Sequence, residues 1–180
     1  MKANDTTPGG PLFLLRGLTQ MRRLLITALL CSNAAGQMPD SLPGLSLPTL
    51  SGHKVDSRQL KNNIVVLDFW ATWCEPCIAE IPDFNSLQDR YAARGVRVIG
   101  VAAQSGWPRD IAKHAARHKM RYTILAGNDN TVSDFRVINF PTTFLIAPGW
   151  KVYKKYSGAY DGKSAEIERD IDALLKENNR

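Results

Sequence analysis

The sequence predicts an α/β domain with a mixed central sheet and helices on both faces, and three observations carry that expectation. Two apolar runs of strand length, Ile64–Trp70 and Val96–Ala103, are nearly continuous, as strands buried on both faces are. Between them lies a stretch of helical periodicity, from about Glu75 to Arg94. The chain then closes with two strand-like segments joined at Pro148-Gly149 and one amphipathic segment, which places strands and helices in alternation.

Taken in order, Pro39 to Pro48 is rich in Pro, Gly and Ser and reads as a linker and turn. Leu45–Leu50, Ser51-Gly52 and His53–Val55 suggest a small hairpin. Asp56 or Ser57 is placed to cap a helical turn through Leu60. In the first long helix Ile78, Ile81, Phe84, Leu87 and Tyr91 recur at spacings of three and four, Pro82 is expected to kink the run, and Gly95 suits the residue after its end. Arg109–Met120 reads as a helix with a basic face, Tyr122–Leu125 as a short strand and Val132–Arg136 as a helical turn. Thr142–Ala147 and Lys151–Ser157 read as strands, and Ser164–Glu177 as a helix with Ser164 at its N-cap.

The 180 residues suit one domain of ordinary size, here assigned to 39–180, after a targeting segment and linker at 1–38. Hydrophobic residues at 44% and charged residues at 22% argue against wholesale disorder, and no apolar run approaches the ~18 residues that mark a membrane span. The formal net charge is +6, but four basic groups (Lys2, Arg16, Arg22, Arg23) and one acid (Asp5) lie in residues 1–38, and without them the charge is +3. No basic stripe interleaved with aromatics is present, so nucleic-acid binding is not expected. Met21-Arg22-Arg23, the apolar Leu24–Cys31 and Ser32-Asn33-Ala34-Ala35 have the order of a secretory signal, with cleavage after Ala34 and Met21 as a candidate start. Cleavage, an N-terminal anchor and lipidation at Cys31 all stay open, the last disfavoured by Leu30 before the cysteine. Export would put the domain where disulfides persist.

Trp73-Cys74-Glu75-Pro76-Cys77 carries the chemistry. Two cysteines three apart sit where a buried strand becomes a helix. Cys74 at the helix N-terminus meets free backbone N–H groups and the positive end of the dipole, which favour a thiolate. Cys74 is therefore the nucleophile; Cys77, one turn on, is in reach of a mixed disulfide formed at Cys74. Pro76 suits an early helical position. Glu75 is a nearby negative charge that opposes the thiolate, which leans toward a reductase, or is an ordinary acid of the first helical turn. A zinc half-site is the other use of such a pair; with His114 and His118, spaced i, i+4, the cysteines would make a formal Cys2His2 set, although a solvated basic helix face explains both histidines. His53 reads as an exposed turn residue. Peroxidase chemistry of the peroxiredoxin type asks for P-x-x-x-[ST]-x-x-C, and neither Cys74, preceded by Ala71 and Leu67, nor Cys77, preceded by Cys74 and Trp70, fits.

Asp68-Phe69-Trp70-Ala71-Thr72-Trp73-Cys74-Glu75-Pro76-Cys77 resembles the active-site strand and helix start of the thioredoxin superfamily, and Phe140-Pro141-Thr142-Thr143-Phe144-Leu145-Ile146 resembles its second signature. The leader, the hairpin before the first core strand and a longer middle segment between Ala102 and Arg136 are similar to the exported TlpA-like branch, which includes reductases of cytochrome c maturation. The resemblance covers about residues 45–177. It implies a thioredoxin-like fold with an N-terminal hairpin and a middle insertion, a cis proline at Pro141 facing the cysteine pair, and Asp68 as a buried acid beneath the disulfide that exchanges a proton with Cys77. A strand-end aspartate reaching water is the other reading of Asp68, and a simple strand-entry proline the other reading of Pro141. Phe140 is expected to touch substrate, Trp73 to shield the disulfide, and Trp70 to belong to the core. Two family features are missing at their usual places. Arg97 is the only basic residue of Val96–Ala103 and has no evident route to Asp68, and Ala103-Gln104-Ser105 lacks the glutamate that some relatives carry there.

The function expected is thus a thiol–disulfide oxidoreductase outside the cytoplasm, reducing protein disulfides through Cys74 and Cys77. Asp68 is its catalytic acid, and Trp73, Glu75, Pro76, Phe140 and Pro141 meet the substrate. No cofactor beyond the redox disulfide and no metal is expected. The expected partners are protein disulfide or dithiol substrates, apocytochrome c among them, and a membrane thiol–disulfide electron donor; the chain is expected to be a monomer in the periplasm or an equivalent exported compartment.

Overall fold

The computed structural model describes residues 42–178. The expectations placed on residues 1–38, including Met21 as a start and lipidation at Cys31, lie outside the described residues.

Strand β3 (Ile64–Trp70) is buried at every position, Asp68 included, as its nearly continuous apolar run leads one to expect. It lies at the centre of a five-stranded sheet of order β5-β4-β3-β6-β7, with β4 at Val96–Ala102, β5 at Thr123–Ala126, β6 at Thr142–Ala147 and β7 at Lys151–Ser157. Strands β3, β4 and β5 are parallel, whereas β6 runs antiparallel to β3 and β7 antiparallel to β6. A separate hairpin precedes them, β1 (Ser46–Pro48) against β2 (Lys54–Asp56), followed by a 3-10 turn over Ser57–Leu60 that Asp56 opens with a capping box. Within the segment read as a linker, Leu42 and Leu45 are buried in the core.

The helices are α1 (Glu75–Ala79), α2 (Ile81–Tyr91), α3 (Pro108–Arg117), α4 (Asp129–Asp134) and α5 (Lys163–Asn178). The single kinked helix expected over Glu75–Arg94 is two helices that meet at Glu80, followed by a 3-10 turn over Ala92–Arg94 closed by Gly95 at φ 83°. The break has a local cause. Pro82 has no N–H to donate to the carbonyl of Ile78, and its ring crowds that carbonyl, so the discontinuity falls upstream of the proline. Ser164 is not the N-cap of the last helix: α5 already starts at Lys163, and the carbonyl of Gly162 accepts the first bond, from Glu166 N–H at 2.9 Å.

Alternation along β3 splits the core between two faces. Val66 meets Phe84, Leu87 and Tyr91 of α2 and Ile167, Ile171 and Leu174 of α5. Val65, Leu67 and Phe69 turn the other way, toward Phe135, Val137 and the hairpin side, with Phe69, Phe135 and Phe144 in mutual aromatic contact. At the C-terminal end of β3, Trp70 packs with Cys74, Cys77, and Ile111 and Ala115 of α3. Among the described residues no helix is long and apolar enough to cross a membrane.

Gly100 links sheet to site. It pairs with Asp68 in the parallel ladder, and a Cβ there would stand 2.9 Å from Trp70 Nε1 and 3.0 Å from the Tyr122 ring. Gly100→Ala is therefore expected to push Trp70 against the cysteine pair and to destabilise the fold by about 1–3 kcal/mol, read as a lowered urea midpoint at unchanged m-value.

Candidate active site

The site forms where β3 ends and α1 begins. Cys74 is the N-cap of α1 with extended backbone (φ −88°, ψ 94°), and its Sγ accepts a hydrogen bond from Cys77 N–H at 3.3 Å. Cys74 and Cys77 are joined in a disulfide with their Cα atoms 5.3 Å apart, and both are buried, at 4% and 3% exposure. Pro76 occupies the first turn and Glu75 opens it, both exposed. The sulfur that caps the helix thus receives the N–H that an ordinary N-cap oxygen would receive, an arrangement that favours negative charge on it once the disulfide is opened.

The second signature closes over this junction. The Phe140–Pro141 peptide is cis, as the resemblance implied, and the Pro141 carbonyl accepts a hydrogen bond from Gly158 N–H at 2.8 Å. Phe140 is half-buried and stands edge-on to Trp73 with ring centroids 5.8 Å apart. Trp73 is 61% exposed, and its indole N–H donates to the Gln104 carbonyl at 3.1 Å. Ser105 Oγ accepts from Thr72 N–H at 3.0 Å and donates to the Ala103 carbonyl at 2.7 Å. The loop that lacks the relatives' glutamate instead braces the strand-to-helix turn, with Gln104 in the left-handed region at φ 51°.

Asp68 is 2% exposed, on the same face of β3 as Val66 and Trp70 and between them, beneath the helix that carries Cys77. The reading of Asp68 as a strand-end group reaching water is overturned. Its Oδ1 accepts a hydrogen bond from Thr143 Oγ1 at 2.8 Å. Burial pushes its pKa up to about 7, against the opposing pull of the Lys163 charge. The sequence reading missed that lysine. Lys163, the first residue of α5, is 3% exposed and donates through Nζ to Glu80 Oε2 at 2.9 Å. Glu80, also missed, ends α1; its backbone N–H bonds back to the Cys77 carbonyl and burial raises its carboxyl above the usual range. A spacing of three from Cys77 was the available signal for Glu80; nothing around Lys163 in sequence marks it as buried. Arg97 is exposed and donates to the carbonyls of Ala92 and Val96, well away from Asp68. A groove of about 750 Å3 beside Pro76 is lined by Glu80, Asp83, Tyr160 and Lys163 among others.

The two histidines lie together on one face of α3, but both are half-buried rather than fully solvated. His114 stacks against Trp70 at 5.8 Å and His118 at 4.4 Å, and burial, with the neighbouring His118 and Arg117 charges, lowers its pKa. His114 Nε2 and Trp70 Nε1 are buried without a hydrogen-bond partner among the described residues. Among those residues no three His, Cys, Asp or Glu side chains are disposed to hold a metal ion. His53 is exposed in its turn.

A sheet of this topology with a cysteine disulfide at the first helix N-terminus and a cis proline in the following signature defines a thioredoxin-like thiol–disulfide oxidoreductase. The chain belongs to the AhpC/TSA family, whose sequence profile matches residues 38–155. It is 30% identical over 131 residues to the thioredoxin-like protein YneN of Bacillus subtilis, covering 72% of this chain and 77% of that protein. It is 31% identical over 134 residues to the thiol-disulfide oxidoreductase ResA of Geobacillus kaustophilus, covering 73% and 75%. Among solved structures, a Chlorobium tepidum chain described as a thiol:disulfide interchange protein DsbE superimposes with a TM-score of 0.70 at 30% identity, over 77% of this chain and 98% of that one.

The buried carboxyl makes a signed prediction. With a folded pKa near 7 against an ordinary 3.8, Asp68 takes up a proton on folding between those values, so its contribution to stability falls as pH rises from about 4 through 7. Asp68→Asn removes that dependence. The variant is expected to be more stable than the parent at pH 8, by up to roughly 4 kcal/mol, with the gap closing by pH 4; urea unfolding across that range checks it.

Proposed function

We propose that this oxidoreductase works outside the cytoplasm as a reductase of protein disulfides, with Cys74 as attacking and Cys77 as resolving cysteine. The observation that carries the reading is the Cys74 sulfur at the α1 N-terminus, accepting Cys77 N–H beside the Phe140–Pro141 segment. In the reduced protein the Cys74 thiolate attacks one sulfur of a substrate disulfide; a Cys74–substrate disulfide forms and the other substrate sulfur leaves as a thiolate, to be protonated by solvent. Asp68 then takes the proton of Cys77, whose thiolate attacks Cys74 Sγ. The Cys74–Cys77 bond forms, the mixed disulfide breaks, and the second substrate thiolate departs. Two electrons have passed from the protein to the substrate, which leaves as a dithiol.

Trp73, Glu75, Pro76, Phe140 and Pro141 form the rim that meets the substrate. An exposed tryptophan against a half-buried phenylalanine, beside the cis Phe140–Pro141 peptide, suits an unfolded or flexible polypeptide. Apocytochrome c is the substrate we favour, on the resemblance to the cytochrome c maturation branch, and a membrane thiol–disulfide donor would restore the dithiol. Residues 1–38 serve as the targeting segment of the monomeric domain at 39–180, cleaved or retained as an anchor. The reaction uses the protein's own cysteines and draws on no cofactor.

Cys74→Ser is expected to reduce insulin-reduction turnover to background, and Cys77→Ser to accumulate partners disulfide-linked to Cys74. Turnover unchanged by Cys74→Ser would refute the assignment. The reduction potential of the pair is expected near the roughly −270 mV of thioredoxin; a value near the roughly −120 mV of strong oxidants would reverse the direction of electron flow.

A further inference from the structure

We propose that Lys163 is a positioning residue of the redox site: its buried ammonium, held by Glu80, is the counter-charge that keeps Asp68 able to ionise beneath Cys77 and so to act as its base. The inference rests on the role given to Asp68 above and adds the group that makes this role workable.

The geometry is a closed set of charges. Lys163 is 3% exposed, and Glu80 Oε2 lies 2.9 Å from its Nζ. Glu80 is bonded through its own N–H to the carbonyl of Cys77. Asp68 receives one hydrogen bond, from Thr143, and feels the attraction of Lys163 and the repulsion of Glu80. The other titratable groups turned toward the set are Asp83 of α2, Tyr122 ahead of β5 and Tyr160 ahead of α5.

One cation and two acids are neutral together when they hold one proton. With Glu80 and Asp68 both ionised the set carries one excess negative charge in a dry interior, so Asp68 is a stronger base than an ordinary carboxylate. Taking the Cys77 proton brings the set to neutrality. Lys163 bounds the effect from the other side. Without it two buried carboxylates face each other, Asp68 stays protonated through the neutral range, and it has no lone pair to offer Cys77. The strand position usual for such a lysine holds nothing suitable, since Arg97 points away. The lysine comes instead from the last helix, more than ninety residues along the chain.

The test separates the two thiols. Reduced protein mixed with one equivalent of 5,5′-dithiobis(2-nitrobenzoate) releases one thionitrobenzoate when Cys74 attacks and a second when Cys77 resolves. Stopped-flow absorbance across pH 5–9 therefore gives a profile for each step. For Lys163→Met the first phase is expected to stay within about twofold of the parent, while the second slows about tenfold at pH 7 and its midpoint moves up by about one pH unit. Lys163→Arg should restore the midpoint. Glu80→Gln removes the repelling charge and leaves the cation to Asp68, so its second-phase midpoint should move down; this arm stands even if Lys163→Met does not fold. Equal slowing of both phases in Lys163→Met, or midpoints of the second phase unmoved in Lys163→Met and Glu80→Gln, would overturn the proposal. Asp68→Asn probes the underlying reading by itself: a second-phase profile identical to the parent's would remove Asp68 as the base whatever the lysine does.

Discussion

Asp68 sits in the middle of a strand with no exposed residue, and the cost of putting a carboxyl there organises what surrounds it. An isolated carboxylate in such a place would lose its charge. Thr143 supplies one hydrogen bond from the neighbouring strand, and Lys163 with Glu80 supplies a charge pair on the helical side. Gly100, opposite Asp68 in the ladder, leaves the room in which Trp70 lies against the cysteines. The central sheet therefore does more than hold the site up: one of its inward positions is spent on a polar group whose ionisation depends on three separate elements being correctly packed.

The junction above it depends on continuity of a different kind. Strand β3 delivers Cys74 with extended backbone to the start of a helix of only five residues, which Pro82 keeps from merging with α2. Glu80 sits at the break. Because the chain turns there, Glu80 faces the last helix rather than lying along a straight α1–α2 rod, and it reaches Lys163. A proline five residues beyond the second cysteine thus positions an acid as well as ending a helix.

Much of this was legible in the residues. Nearly continuous apolar runs marked the central strands, since a strand covered on both sides tolerates little else, and β6 and β7 were separated by the turn at Pro148-Gly149. The cysteine spacing and the phenylalanine–proline pair marked the two halves of the site, which the fold brings together at its rim. What was illegible involved residues whose character depends on distant packing. A lysine near the start of an amphipathic helix ordinarily faces water; Lys163 is buried because the α1–α2 break presents a carboxylate to it. His114 read as part of a solvated basic helix face, yet it lies against Trp70, since Ile111 and Ala115 set which side of α3 faces the sheet. Ser164 resembled a cap only because the helix was taken to begin one residue late.

The displacement of the lysine from strand to helix has a mechanical consequence. On β4 it would share the rigidity of the sheet, and its distance from Asp68 would be as constant as the ladder. On α5 it belongs to an element docked by Ile167, Ile171 and Leu174 against the same face, entered through Gly158 and Gly162, both in left-handed backbone conformation. The charge that governs Asp68 is thereby tied to the seating of the last helix and to the groove beside Pro76, which Tyr160, Lys163 and Glu80 line together. A polypeptide bound over Pro76 would lie along the same wall. On the proposed reading, substrate contact and proton handling would share the wall formed by Glu80 and Lys163, a coupling that a lysine confined to the sheet interior would not provide.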